Sequence, residues 1–193
     1  PTHQAVETLA TLRATPNFNL FRPCDPIETA ECWALAIQNK TGPSGIVLTR
    51  QGVPTVRIKH TDQNLCGYGA YVLEEAHGGK PVVSILATGS EIQLALNAKE
   101  KLEIDGIPTS VISIPCWEIF DQQKSSYKEK TLGSAKLFVG VEAAVRMGWD
   151  KYIGIDGVFI GMESFGASAP AESLFQHFDI TIEKIIKAVK ARL

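Results

Sequence analysis

A chain of 193 residues that is 45% hydrophobic and 21% charged has the make-up of a globular protein, with apolar surface for one core or parts of two. Its net charge of -2 leaves no basic excess to hold a phosphate backbone, which argues against nucleic-acid binding. No apolar run approaches the roughly 18 residues of a membrane span and no signal peptide opens the sequence, so a cytoplasmic protein without membrane contact is expected.

Ala5 to Leu12 reads as a short helix with Val6, Leu9 and Leu12 on one face. Asn17 to Phe21 is a strand candidate, and Arg22-Pro23-Cys24-Asp25-Pro26 turns the chain sharply into a second helix. Asp25 suits its cap, Pro26 its first position and Glu28 its third. That helix is expected to run to about Asn39, burying Ile27, Ala30, Trp33, Ala34 and Ile37. After Gly42-Pro43-Ser44-Gly45, the run Ile46 to Thr49 is a compact strand that finishes at Arg50. Strand, helix, strand in this order implies parallel neighbours in a sheet.

Periodicity fades from Gln51 to Gly67, and this polar stretch reads as an interdomain linker. A second α/β unit follows. Tyr68 to Leu73 alternates like an edge strand, and Val82 to Ala87, beyond a Gly78-Gly79 turn, is a buried one. Thr88-Gly89-Ser90 opens a helix in which Ser90 and Gln93 have capping-box spacing, with Ile92, Ala95, Leu96 and Leu102 facing inward and Asp105-Gly106 as its stop. Strands are expected at Thr109 to Ile114, Leu137 to Val141 and Val158 to Met162, with two short helices between Pro115 and Gly133. Phe165 to Glu172 is a small-residue stretch where a strand hands over to a helix; Gly166 supplies backbone freedom and Pro170 suits the first turn. The last helix, Ile182 to Leu193, has Thr181 as cap, Ile180 and Ile185 as a staple, and an apolar face of Ile182, Ile185, Ile186 and Val189. The fold class is therefore α/β, with mostly parallel sheets flanked by helices. No repeat at a fixed period interrupts it.

The chemistry-bearing motifs are sparse. There is no phosphate loop, no dinucleotide fingerprint opening a helix, no H-E-x-x-H and no G-x-S-x-G. Cys24, Cys32, Cys66 and Cys116 are scattered without a C-x-x-C pair, so buried, reduced thiols are expected rather than a zinc site or a disulfide scaffold. Thr88-Gly89-Ser90 reads as a capped helix start or as an anion-binding turn. His3 titrates near neutrality and suits either a solvated terminus or a functional role. Arg50 ends a strand where open parallel sheets bind ligands; it can clamp a phosphate or carboxylate, or form a surface ion pair. Arg22 reads as part of the junction, His60, His77 and His177 as structural, and Trp33, Trp117 and Trp149 as packing residues.

Six stretches in order carry a resemblance: Pro1-Thr2-His3-Gln4, Arg22-Pro23-Cys24-Asp25, Thr49-Arg50-Gln51, Ala87-Thr88-Gly89-Ser90-Glu91, Val141-Glu142-Ala143 and Phe165-Gly166-x-Ser168-Ala169-Pro170-Ala171-Glu172. Together they resemble the C-terminal part of transketolase, most closely its bacterial branch, over the whole chain. The resemblance implies that residues 1–60 end the pyrimidine-binding middle domain and that residues 61–193 are the C-terminal domain, with one antiparallel edge strand. It implies transfer of a two-carbon ketol unit between ketose and aldose sugar phosphates, in the pentose phosphate pathway and the Calvin cycle, by a cytoplasmic homodimer of the full-length chain. By the same resemblance His3 is the active-site histidine that contacts substrate and intermediate, and Arg50 binds the substrate phosphate. Thiamine diphosphate and Mg2+ (or Ca2+) are implied as cofactors, held by motifs absent from this sequence, which opens at Pro1 without an initiator Met. A piece of a longer polypeptide, inactive alone, is thus expected. The competing readings are a stand-alone assembly subunit of a split thiamine-diphosphate enzyme and a nucleotide-binding regulatory domain at Thr88-Gly89-Ser90.

Overall fold

The computed structural model describes residues 4–193; Pro1, Thr2 and His3 lie outside the described residues. The chain forms two parallel-sheet units that share an interface. In the first, α1 (Thr8–Arg13), β1 (Asn19–Phe21), α2 (Pro26–Gln38) and β2 (Ser44–Ile46) follow one another, and β1 pairs β2 in parallel. The helix begins later than expected because its approach is occupied: the Val6 carbonyl accepts from the Val145 amide at 3.2 Å instead of continuing a helix. The second strand also ends earlier than its apolar run. Only the Val47 amide, 2.8 Å from the Phe21 carbonyl, extends the pairing before the partner strand turns away.

α2 starts as its sequence dictates. Asp25 Oδ1 accepts from the Glu28 amide at 2.8 Å, and Pro26 occupies the first turn. Its buried face, however, is the opposite of the expected one. Ile27, Trp33 and Ile37 are exposed, whereas Glu28 and Cys32 are fully buried. The polar stripe is inside because it has partners there. Glu28 Oε1 accepts from Tyr71 Oη and Ser113 Oγ, both at 2.6 Å, and Oε2 accepts from the Cys24 amide at 2.7 Å. Cys32 joins Phe21, Cys66 and Cys116 in a small apolar cluster, and all four cysteines are free and buried.

Residues 51–64 have no regular structure but are tied to α2. Asp25 Oδ2 accepts the amides of Val56 and Arg57 at 3.1 and 3.0 Å, and Arg57 pairs with Glu31 at 2.7 Å. A 3-10 turn, Leu65–Tyr68, then leads to β3 (Tyr71–Glu74), β4 (Val83–Ala87), α3 (Glu91–Ile104), β5 (Thr109–Ser113), α4 (Trp117–Asp121), α5 (Ser125–Leu132), β6 (Leu137–Val141), α6 (Asp150–Ile153), β7 (Val158–Ile160), α7 (Ala171–His177) and α8 (Ile182–Lys190). The sheet order is β3-β5-β4-β6-β7, parallel except for the antiparallel edge strand β3.

Alternation along the central strand splits the core. Val83, Ile85 and Ala87 meet α3 and α8, whose Ile92, Ala95, Leu102, Ile185 and Val189 are buried. Leu86 points the other way, into a layer with Trp117, Phe120, Trp149 and Tyr152. Each fully buried Ile or Leu contributes about 1.5–3 kcal/mol. α8 is capped as expected, Thr181 Oγ1 accepting from the Lys184 amide at 3.1 Å, with Ile180 and Ile185 both buried beside it. The expected capping box at α3 is absent. Ser90 has helical backbone angles and its Oγ donates to Glu91 Oε1 at 2.6 Å.

The two units are stitched along β1. The Arg22 amide donates to the Pro115 carbonyl at 2.8 Å, the Gly89 amide donates to the Arg22 carbonyl at 3.0 Å, and the Leu20 amide donates to Glu118 Oε2 at 3.1 Å.

Candidate functional site

In the five-stranded sheet the chain moves from β4 to β5 on one side, then crosses to β6 on the other. The carboxyl ends of β4 and β6 flank that reversal, where open α/β sheets form a ligand crevice. Here two arginines of the first unit fill it. Glu142, directly after β6, receives Arg13 through paired contacts of 2.7 and 2.8 Å, together with Thr88 Oγ1 at 2.6 Å and Trp149 Nε1 at 2.9 Å. Arg22 Nη1 contacts Glu91, donates to Thr88 Oγ1 at 2.7 Å and lies 3.4 Å from Glu142. The Arg13 guanidinium also sits 3.7 Å above the Trp117 ring. Gly89 has a φ of +54°, and a Cβ there would lie 3.0 Å from the Arg22 side chain. The turn Thr88-Gly89-Ser90 is therefore engaged by protein groups.

These carboxylates are fully buried. Burial pushes the Glu142 carboxyl up, but Arg13, Arg22 and Thr88 outweigh it and bring the group from an ordinary 4.5 down to about 2. A depressed carboxylate adds stability above its unfolded pKa, and the addition disappears as pH falls through the folded value. At neutral pH this amounts to roughly 3 kcal/mol. Stability is therefore expected to decline from about pH 4.5 and to lose this contribution by about pH 2. Glu142→Gln should be less stable at pH 7 and flatter across that window, as read from urea midpoints at fixed pH. Wild-type and variant curves that stay parallel would refute the assignment. Glu28 behaves oppositely: burial raises it, and the donors Ser113, Tyr71 and the Cys24 amide offset this only in part.

Beside this charge cluster opens a cleft of about 450 Å³. Arg22 and Glu91 line it together with Arg50 and Gln51, with Gly166, Ala167 and Ala171, and with Gln4. An adjoining cavity of about 620 Å³ shares Gln4, Arg50 and Ala167. Arg50 is exposed, and among the described residues no carboxylate pairs with it. His3 lies outside the described residues. Its chain neighbour Gln4 is bonded through its carbonyl to the Gly166 amide at 3.3 Å, so Gln4 and the Phe165–Glu172 stretch meet at one cleft. The small-residue stretch does more than enter α7: its second and third residues line the cleft. Gly166 itself is not in the left-handed region, so backbone freedom is not why it is glycine.

The other histidines stay apart. His60 lies 3.0 Å from exposed Asp62, His77 is beside Glu103, and His177 packs on Phe178. Trp117 and Trp149 are packing residues, whereas Trp33 is half exposed. Among the described residues no group of three or more His, Cys, Asp or Glu is arranged to hold a metal ion. Sequence reasoning missed Arg13, Glu91 and Glu142 and assigned Arg22 to the junction. One signal was available: Glu91 and Glu142 each follow a buried strand within a few residues, at its carboxyl end.

Two family models match the chain: a transketolase pyrimidine-binding domain over residues 1–55 and a transketolase-like C-terminal domain over residues 69–181. The transketolase of Sinorhizobium medicae (strain WSM419) is 51% identical over 187 residues, covering 96% of this chain and 27% of that protein. A solved transketolase from Pichia stipitis, in complex with sedoheptulose 7-phosphate, matches with a TM-score of 0.90 at 35% identity, covering 100% of this chain and 27% of its own. A split-gene transketolase, described as an inactive β4 tetramer, matches with a TM-score of 0.84 at 25% identity, covering 100% of this chain and 63% of its own. The chain spans 27–30% of the length of the curated relatives it matches. No helix is long and apolar enough to cross a membrane among the described residues.

Proposed function

The chain belongs to the transketolase family, and on that premise we propose that it forms the end of a pyrimidine-binding domain, residues 1–60, and a C-terminal domain, residues 61–193, of a cytoplasmic, homodimeric transketolase. The enzyme moves a two-carbon ketol unit from a ketose phosphate to an aldose phosphate. One observation carries the reading: the cleft that joins Arg50, the segment following His3 and the Phe165–Glu172 stretch. Arg50, exposed and without a carboxylate partner among the described residues, holds the substrate phosphate through paired, charge-assisted hydrogen bonds. His3, one residue from Gln4, donates to or accepts from sugar oxygens as charge shifts during the reaction. Fixing the phosphate at Arg50 orients the sugar for that contact.

Thiamine diphosphate with Mg2+ or Ca2+ supplies the carbanion chemistry when bound. By the family likeness the residues that hold it belong to other parts of the enzyme, and no step on this chain runs through it. A second reading, an assembly subunit of a split enzyme, draws on the split-gene relative. It predicts a ~21 kDa native chain that co-purifies with a separate diphosphate-binding subunit.

The test joins this chain behind the upstream part of the Sinorhizobium medicae transketolase and assays ketol transfer with thiamine diphosphate and Mg2+. The chimera is expected to turn over and the chain alone is not. Turnover by the chain alone would overturn the division of labour. A folded, cofactor-binding chimera with no activity would overturn the enzyme reading.

A further inference from the structure

The opening segment reaches the cleft on two backbone bonds, Val145 N–H to the Val6 carbonyl at 3.2 Å and Gly166 N–H to the Gln4 carbonyl at 3.3 Å. The second bond requires a very close approach. A Cβ on Gly166 would lie 2.8 Å from the Gln4 carbonyl oxygen and 2.9 Å from the Gln4 Cβ. The obstacle is therefore main chain and its first side-chain carbon, not the tip of a flexible side chain. The φ of Gly166 lies outside the left-handed region, so alanine is compatible with the backbone there and only the contact excludes it. Gln4 Oε1 is buried and has no hydrogen-bond partner among the described residues. The neighbouring backbone and the packing of Val6 on the sheet core hold the segment.

We propose that Gly166 is a positioning residue for the cleft: having no side chain, it lets the Phe165–Ala167 backbone lie on Gln4 and fixes the point from which the chain leaves toward His3. Its consequence for turnover rests on the function proposed above; the contact itself does not. Phe165 to Pro170 is a largely exposed segment outside both halves of the sheet core, so Gly166→Ala reports on the local contact rather than on folding. Gly52→Ala serves as control, since a Cβ there meets nothing within 4 Å.

Two measurements test the proposal. In hydrogen exchange on this chain, Gly166→Ala should speed exchange at least tenfold at the Val145 amide, which donates to the Val6 carbonyl, while β4 and β5 keep wild-type protection; Gly52→Ala should change neither. In the chimera, Gly166→Ala should lower kcat by about tenfold, the cost of a sub-ångström to ångström displacement of a contacting group. KM for the sugar phosphate should stay within about twofold because Arg50 is untouched. Unchanged exchange at the Val145 amide overturns the proposal, as does faster exchange with unchanged kcat. An inactive wild-type chimera with faster exchange in the variant would overturn the functional reading and leave the clamp standing.

Discussion

Arg22→Ala should destabilise the chain by about 3–5 kcal/mol, the usual cost of removing one partner from a buried ionic cluster. Arg22 faces Glu91 and Glu142, both fully buried. Glu142 would still have Arg13 at 2.7 Å. Glu91 would be left with the Ala143 amide at 3.0 Å and Ser90 Oγ at 2.6 Å, but with no cation among its recorded partners. The loss therefore comes mainly from an uncompensated Glu91 rather than from the missing contact. Adding Glu91→Gln should restore part of it, because the neutral amide has no charge to leave stranded. Urea midpoints of the two single variants and the double variant measure this. A loss below about 1 kcal/mol, the scale of an exposed pair, would show that the cluster is solvated.

The second large effect concerns recognition. In the chimera, Arg50→Gln should raise KM for phosphorylated ketoses roughly 10- to 100-fold, the equivalent of the 1.5–3 kcal/mol carried by hydrogen bonds to a charged group. For an unphosphorylated ketose the wild type and the variant should be alike. Arg50 is exposed, beyond the end of β2, and outside the apolar clusters, so thermal stability should be unchanged. An equal rise for both substrate classes would mean that Arg50 shapes the cleft instead of holding the phosphate.

Much of the fold was legible because it depends on local patterns. Asp25 and Thr181 cap where their spacing says, the apolar runs of β4, β5 and β6 became buried strands, and alternation after residue 68 marked an edge strand, whose antiparallel direction only the family resemblance implied. α2 shows the limit of that method. Its apolar stripe of Ile27, Trp33 and Ile37 was assigned to the core, yet Glu28 and Cys32 are inside. Periodicity identifies which residues share a face, not which face finds partners; Tyr71 and Ser113, 43 and 85 positions from Glu28, decided that. The same holds for the site. Arg50 stood out as a guanidinium at the expected end of a strand, although that strand closes earlier, at Ile46. Arg13 and Glu142 stand 129 positions apart, and nothing local to either foretells their pairing. Gly166 was noticed for the wrong reason, since only the fold reveals that Gln4 crosses it.

The arginine-filled crevice bears on how the chain can be divided. The family resemblance invites a boundary near residue 60, and an excised 61–193 unit would keep all five strands of the larger sheet. It would also open Glu91 and Glu142 at the mouth of its sheet, with neither Arg13 nor Arg22 to neutralise them. The larger unit thus keeps its sheet but borrows its counter-ions from the smaller one. Its folding autonomy ends where its own charge balance does, some forty residues before the apparent seam.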